Sequence, residues 1–231
     1  MCATPAVKPR RWAASRWRHS ASREPFPPAM TPLRFGIVGA GRWARTVHVP
    51  WLRAIADAQL VAVASRSAEN RQALIAAHGA PLREYASADA LYADPEVDAV
   101  IIATPNDSHA ALAAAGLRAG KHVFCEKPLG FTLADCDAVA RAQAATGATL
   151  AVDYELRCSD VAQRMSESIR LGRIGAPRMI GCFLLRDWGR IGGWRGDPAR
   201  SGGLFLELGS HYFDLMALLA ARPATQVYVS G

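Results

Sequence analysis

No stretch of the 231 residues reaches the roughly 18 apolar side chains in a row that a bilayer-spanning helix needs, so no membrane partner is expected. The most apolar helical segment, Leu204 to Ala220, is interrupted by Glu207, His211 and Asp214 and reads as a buried helix of a soluble protein. Cysteine is scarce and unpatterned. Cys2, Cys125, Cys136, Cys158 and Cys182 are odd in number and never form a Cys-x-x-Cys pair, which argues against a zinc cluster or a disulfide framework. Reduced thiols, a cytoplasmic location and no metal are the expectation. Acids are nearly missing from the first 30 positions, where Lys8, Arg10, Arg11, Arg16, Arg18 and Arg23 face Glu24 alone. Five of the seven net positive charges therefore sit in this tail, and only two remain over residues 31–231. A nucleic-acid partner loses its main support. The tail also lacks the apolar core of a secretory signal. Its Arg- and Ser-rich composition suits either an organellar transit peptide or an extension upstream of a true start at Met30. Residues 1–30 are set aside from fold reasoning.

Beyond the tail, short apolar runs alternate with helical patterns. Leu33–Gly39 reads as a first strand, Arg42 to about Ile55 as a helix, Leu60–Ala64 as a second strand, and Ala68–His78 as a helix stopped by Gly79. A strand near Leu82–Tyr85, a helical turn from Ser87 to Ala93, a strand over Val97–Ala103 and a helix over Ser108–Ala119 follow. Lys121–Cys125, Thr132–Thr146 and Thr149–Asp153 complete the series as strand, helix and strand. Strands without polar alternation, separated by helices, indicate a parallel sheet covered on both faces. The fold class is thus α/β, with a Rossmann doubly wound sheet over residues 31–153. From Tyr154 the rhythm changes. A helix over Val161–Leu171, a strand-like stretch from Pro177 to Arg186, a loop over Asp187–Arg200 and a strand beginning at Thr225–Ser230 make residues 154–231 a second, partial α+β domain.

The turn Gly39-Ala40-Gly41-Arg42-Trp43-Ala44 lies between the first strand and the first helix, where a dinucleotide pyrophosphate would sit. Gly39 closes the strand, Gly41 lets backbone approach the phosphates, and Ala44 allows close helix–strand packing. The helix start offers free N–H groups to the anion. An acid normally ends the second strand to hold the ribose of NAD. Here Ser65-Arg66-Ser67 stands instead, and a hydroxyl beside a guanidinium suits a 2′-phosphate. NADP is the preferred cofactor, although Arg66 stacked on adenine would serve NAD equally.

Ligands of such sheets bind beyond the carboxyl ends of the strands, and two polar clusters lie there. Thr104, Pro105, Asn106 and His109 follow one strand; Glu126-Lys127-Pro128 follows another. An ammonium at Lys127 could stabilise developing charge on a substrate oxygen. His109 could line the same cleft or simply cap and pack.

Together with Ala119-Gly120-Lys121-His122-Val123, Trp194-Arg195, Asp197-Pro198 and Ser201-Gly202-Gly203, these residues resemble the glucose–fructose oxidoreductase and inositol dehydrogenase (Gfo/Idh/MocA) family from about Leu33 to Gly231. The resemblance implies that Lys127 is catalytic and that Glu207-Leu208-Gly209-Ser210-His211 matches the family's Asp-x-Gly-x-His signature. Glu207 departs from it by one methylene. At about 100° per residue, Glu207, His211 and Asp214 fall within a stripe roughly 60° wide on an otherwise apolar helix. Buried polar groups are satisfied or functional, which makes His211 an acid/base candidate and Asp214 a structural one.

The expected activity is hydride transfer between nicotinamide and a secondary alcohol or anomeric carbon of a sugar, inositol or related polyol, with His211 taking the hydroxyl proton, Glu207 supporting it and Lys127 holding the oxygen. Tyr154, Arg157, Trp188, Trp194 and Arg195 are candidate substrate contacts. Two alternatives share the fold: a dinucleotide-dependent glycoside hydrolase, and a dinucleotide-binding regulatory protein without chemistry. The resemblance further implies a large, mostly antiparallel sheet in the second domain, often used for homo-oligomers. Measured against it the chain looks truncated inside a strand, and weak activity is expected.

Overall fold

The computed structural model describes residues 31–185, 187, 189–222 and 224–228. The tail 1–30 with Cys2, the substrate candidate Trp188, and the end of the strand expected over Thr225–Ser230 lie outside them.

Six strands form one parallel sheet in the order β3-β2-β1-β4-β5-β6. They are β1 (Leu33–Val38), β2 (Ala58–Ala64), β3 (Arg83–Tyr85), β4 (Ala99–Ile102), β5 (His122–Glu126) and β6 (Leu150–Asp153). The helices are α1 (Val49–Ala54), α2 (Ala68–His78), α3 (Ala88–Tyr92), α4 (His109–Arg118), α5 (Leu133–Thr146), α6 (Asp160–Arg170), α7 (Pro198–Ser201) and α8 (Ser210–Ala220). Successive strand residues point to opposite faces, so Ile37 and Val38 enter different cores. Ile37, Leu60, Val63 and Ile101 pack with Leu52 and Leu74 under α1 and α2. Val38, Val100 and Ile102 pack with Leu91, Leu117 and Val139 under α3, α4 and α5. Each fully buried Leu, Ile or Val contributes about 1.5–3 kcal/mol to the packed state.

Local chemistry sets the helix ends. Ser67 and Ser87 accept hydrogen bonds from the N–H groups of Asn70 and Ala90, and Thr132 with Asp135 makes a reciprocal cap on α5. Gly79 stops α2 in a left-handed conformation. The sheet order changes direction between β1 and β4, and a crevice opens there above the strand ends.

Two expectations for the second region need correction. Among the described residues, neither 177–185 nor 225–228 pairs into a sheet, so the antiparallel sheet is not formed there. An extended segment becomes a strand only when a neighbouring strand satisfies its N–H and C=O groups, and among the described residues no strand pairs with these. The apolar helix is also less buried than its composition suggests. Leu219 is enclosed, whereas Leu204, Phe205 and Phe213 are about half exposed or more. Apolar composition drives burial only where another element supplies the cover. No described helix is long and apolar enough to cross a membrane.

Candidate active site

The crevice is a cavity of about 1540 Å³, larger than the ~300–1,000 Å³ typical of a single small ligand. Its floor begins at the glycine turn. Gly39 has a φ of +99°, and a Cβ there would lie 2.6 Å from the Ala103 carbonyl oxygen. Only glycine fits this junction between β1 and β4. A Cβ on Gly41 would meet nothing within 4 Å, which leaves the turn open for close approach by a phosphate. The helix after the turn opens with a π-helical stretch, Ala44–His48, before α1. At the end of β2, Ser65 and Arg66 line the cavity, and Arg66 is exposed with no ion pair among the described residues. The Ser67 hydroxyl is already committed to capping α2.

Arg42, Trp43, Thr104, Pro105, Asn106, His109, Glu126 and Lys127 also line the cavity. Several do so with their polar groups committed to the protein. His109 is fully buried, its ring nitrogens 2.8 Å from the Pro128 carbonyl and 2.9 Å from that of Thr104. It thereby clamps the loop after β4 to the turn after β5, the packing alternative weighed from sequence. Asn106 Nδ2 donates to the Ser201 carbonyl (2.9 Å) and to Glu207 Oε2 (2.6 Å). Glu126 Oε1 accepts from Trp43 Nε1 (2.6 Å) and lies 2.8 Å from His48 Nε2. His48 carries no sequence signal beyond its place on the first helix, and sequence reasoning missed it.

Lys127, Glu207 and His211 all line the cavity, but their pairing differs from expectation. Lys127 Nζ donates to the Glu207 carbonyl (2.7 Å) and reaches its carboxylate at 3.4 Å. Arg195 Nε donates to the other carboxylate oxygen at 3.1 Å. Burial pushes the Glu207 carboxyl up, but the Asn106 hydrogen bond and the charges of Lys127 and Arg195 outweigh it, and the carboxyl sits below its ordinary range. The expected Glu207–His211 pairing is therefore corrected: Glu207 serves Lys127. His211 Nδ1 instead lies 3.2 Å from Glu155 Oε2, close enough for an ion pair though not aligned as a hydrogen bond. Burial raises the Glu155 carboxyl, while His211 and Lys127 pull it below the usual value. Glu207 lies in a π-helical turn, Phe205–Gly209, just ahead of α8, and its carboxylate is taken up by Asn106, Lys127 and Arg195. Sequence spacing alone could not reveal Glu155, which arrives from the segment after β6.

Trp194 and Arg195 line the cavity, with the guanidinium carbon 4.7 Å above the Trp194 ring. Tyr154 and Arg157, named with them as substrate contacts, lie outside the lining. Arg157 is held by both carboxylate oxygens of Asp214, the structural role expected of that acid. Tyr154 stands edge-on to the His211 ring, centroids 6.4 Å apart.

A family model described as "Oxidoreductase family, NAD-binding Rossmann fold" matches residues 33–154, and "GFO/IDH/MocA C-terminal domain" matches residues 162–231. The chain is 35% identical over 202 residues to a 1,5-anhydro-D-fructose reductase of Ensifer adhaerens, covering 85% of this chain and 60% of that one. It is 34% identical over 199 residues to an inositol 2-dehydrogenase of Rhizobium meliloti (strain 1021), covering 84% and 57%. A solved aldose-aldose oxidoreductase from Caulobacter crescentus superposes with a TM-score of 0.70 at 28% identity, over 82% of this chain and 58% of that one. The chain thus spans a little over half the length of these relatives. Two models of one family laid end to end over residues 33–154 and 162–231, with relatives above 30% identity along the same span, leave one assignment: this chain belongs to the Gfo/Idh/MocA oxidoreductase family.

Proposed function

We propose that the protein is an oxidoreductase acting on a CH–OH group of a sugar, inositol or related polyol, with NADP as its preferred dinucleotide. The observation that carries this reading is the shared cavity, in which the glycine turn, Lys127 and His211 face one space large enough for a dinucleotide and a small polyol together. The residues fit the cofactor. Gly41 leaves room at the phosphates, and Arg66 offers an uncommitted guanidinium where NAD enzymes carry an acid. The nicotinamide supplies hydride acceptance or donation.

The chain's own groups do the rest. An ammonium has three donors, and two of those on Lys127 go to Glu207, which leaves one for a substrate oxygen. That donor stabilises the charge that develops as the hydroxyl is oxidised. His211 Nδ1 faces Glu155, so Nε2 is the nitrogen that takes the hydroxyl proton, and Glu155 offsets the charge the ring acquires. Glu207 keeps the ammonium anchored. Trp194 and Arg195 offer an aromatic face and donors suited to a polyol.

A cofactor-dependent absorbance screen over polyols and aldoses, run with NAD and NADP beside calorimetry, tests the reading. Turnover of added NADP with one substrate class is the expected result. Glycoside cleavage without net cofactor turnover would identify the hydrolase alternative, and no affinity for either dinucleotide would overturn the proposal.

A further inference from the structure

One buried network at the cavity floor has no part in the chemistry above. Glu126 ends β5, and its single oxygen Oε1 takes both the Trp43 indole N–H and the His48 imidazole. His48 is 5% exposed and Glu126 9%. A carboxylate placed so deep is held only by the partners that compensate its lost hydration, and an apolar side chain would pack there with less desolvation. Stability is therefore a weak reason for its presence, and its position is informative. Trp43 and His48 belong to the glycine turn and the helix leaving it, after β1. Glu126 ends β5, and β4 lies between those strands in the sheet. The network thus ties the segment after β1 to the end of β5, across β4, under the crevice. Asp153, at the end of β6, brings a further carboxylate within 4.8 Å of the other two ligating groups. Burial first, and then the charge of Glu126, raise its carboxyl to about 6.

Lys127 is the next residue after Glu126, and the residue after Lys127 is held as well, through His109 Nδ1 and the Pro128 carbonyl. The lysine is gripped on both sides of its own backbone. The grip on the Glu126 side runs straight to the turn where the pyrophosphate would bind.

We propose that Trp43 and His48 are positioning residues that act through Glu126, so that seating a dinucleotide on the glycine turn and placing the Lys127 ammonium become one coupled event. This rests on the oxidoreductase reading above. It adds that the turn orients the reactive lysine as well as the cofactor.

The test exploits composition. Lys8, Lys121 and Lys127 are the only lysines. Lys121 Nζ is bound to the carbonyls of Asp94 and Val97, remote in chemistry from the network, and serves as an internal reference. The rate of amine modification at each lysine is followed by mass spectrometry on the whole chain, with and without NADP or NAD. Trp43→Phe keeps the aromatic ring and removes the N–H. His48→Leu removes the second partner, and His48→Gln restores a donor near the position of Nε2. In the parent protein, dinucleotide slows modification of Lys127. Trp43→Phe and His48→Leu each raise the Lys127 rate about tenfold, the loss of one charge-assisted hydrogen bond, while Lys121 is unchanged. Their combination raises it little further, because the two act on one carboxylate. His48→Gln stays near the parent rate. In the double variant dinucleotide still binds by calorimetry but no longer protects Lys127. An unchanged Lys127 rate, or an equal rise at Lys121, overturns the coupling. Failure of the parent itself to bind either dinucleotide would instead sink the oxidoreductase reading, and the coupling with it.

Discussion

Between β1 and β6 every strand has a parallel neighbour, and Ile37, Leu74, Leu91 and Ile102 are sealed from solvent. After Tyr154 no described residue joins a sheet, and Phe183 and Leu185 are more than 90% exposed. The first region is rich in alanine and the second in glycine and arginine, yet both carry large apolar side chains. What differs is whether each apolar face meets another. The second region is held to the first largely by polar contacts: Lys127 and Asn106 to Glu207, Asn106 to the Ser201 carbonyl, and Arg200 to Asp107. Those contacts are the candidate active site. Chemistry and attachment therefore share residues, and perturbing one should register in the other.

The largest break comes from Lys127→Ala. Steady-state rates should fall about 100- to 1000-fold, the scale of losing one charge-stabilising donor, with dinucleotide affinity changed less than about tenfold. Equal losses in both would move Lys127 from chemistry to binding.

Gly39→Ala strikes the better-packed region. Its Cβ would collide with the Ala103 carbonyl at 2.6 Å in a backbone conformation that side chains resist. We expect a loss of about 2–4 kcal/mol in denaturant unfolding, together with dinucleotide affinity. A neutral result would mean that the β1–β4 junction is looser than the sheet implies.

Glu207→Ala sharpens the contrast between the regions. It strands Asn106, Arg195 and Lys127, and should cost about 2–3 kcal/mol of attachment. Hydrogen exchange should speed up in α6 and α8 while β1 and β4 stay protected. Uniform acceleration would show that the two regions unfold as one.

Asp153→Asn carries the smallest effect. The Asp153 carboxyl is raised from 3.8 to about 6, so the folded protein binds this proton more tightly than the unfolded chain does. Its contribution is fully present below about pH 4 and is lost as the pH rises through about 6. The amide should therefore raise Tm at pH 7.5 by about 2–4 °C, a discounted ~1 kcal/mol for a partly solvated group, and change little at pH 4. A gain of equal size at both pH values would exclude titration as its cause.

Much of the first region was legible beforehand. α2 runs over Ala68–His78 as its pattern and Gly79 predict, and the strands fall within a few residues of the apolar runs that suggest them. Caps, left-handed glycines and buried strands each act through neighbours in sequence. The glycine turn and Glu-Lys-Pro were readable for the same reason. Unreadable were the partners: Glu155 facing His211, Asn106 and Arg195 on Glu207, and Trp43 with His48 on Glu126. Each joins residues separated by a dozen to a hundred positions, and local patterning carries no record of them. Of the strand expected over Pro177–Arg186, the described residues 177–185 do not pair, for a related reason: an apolar run describes a willing strand and not a neighbour to pair with.

The order of elements and the parallel sheet of the first region follow from the amino-acid sequence by itself, because hydrophobic period, capping and turn chemistry act over a few residues. Which carboxylate serves which cation was decided only in three dimensions. Glu207 lies against Lys127, and the chain leaving β6 brings Glu155 to His211. Charges find partners by proximity in space, and that proximity exists only once the sheet has closed.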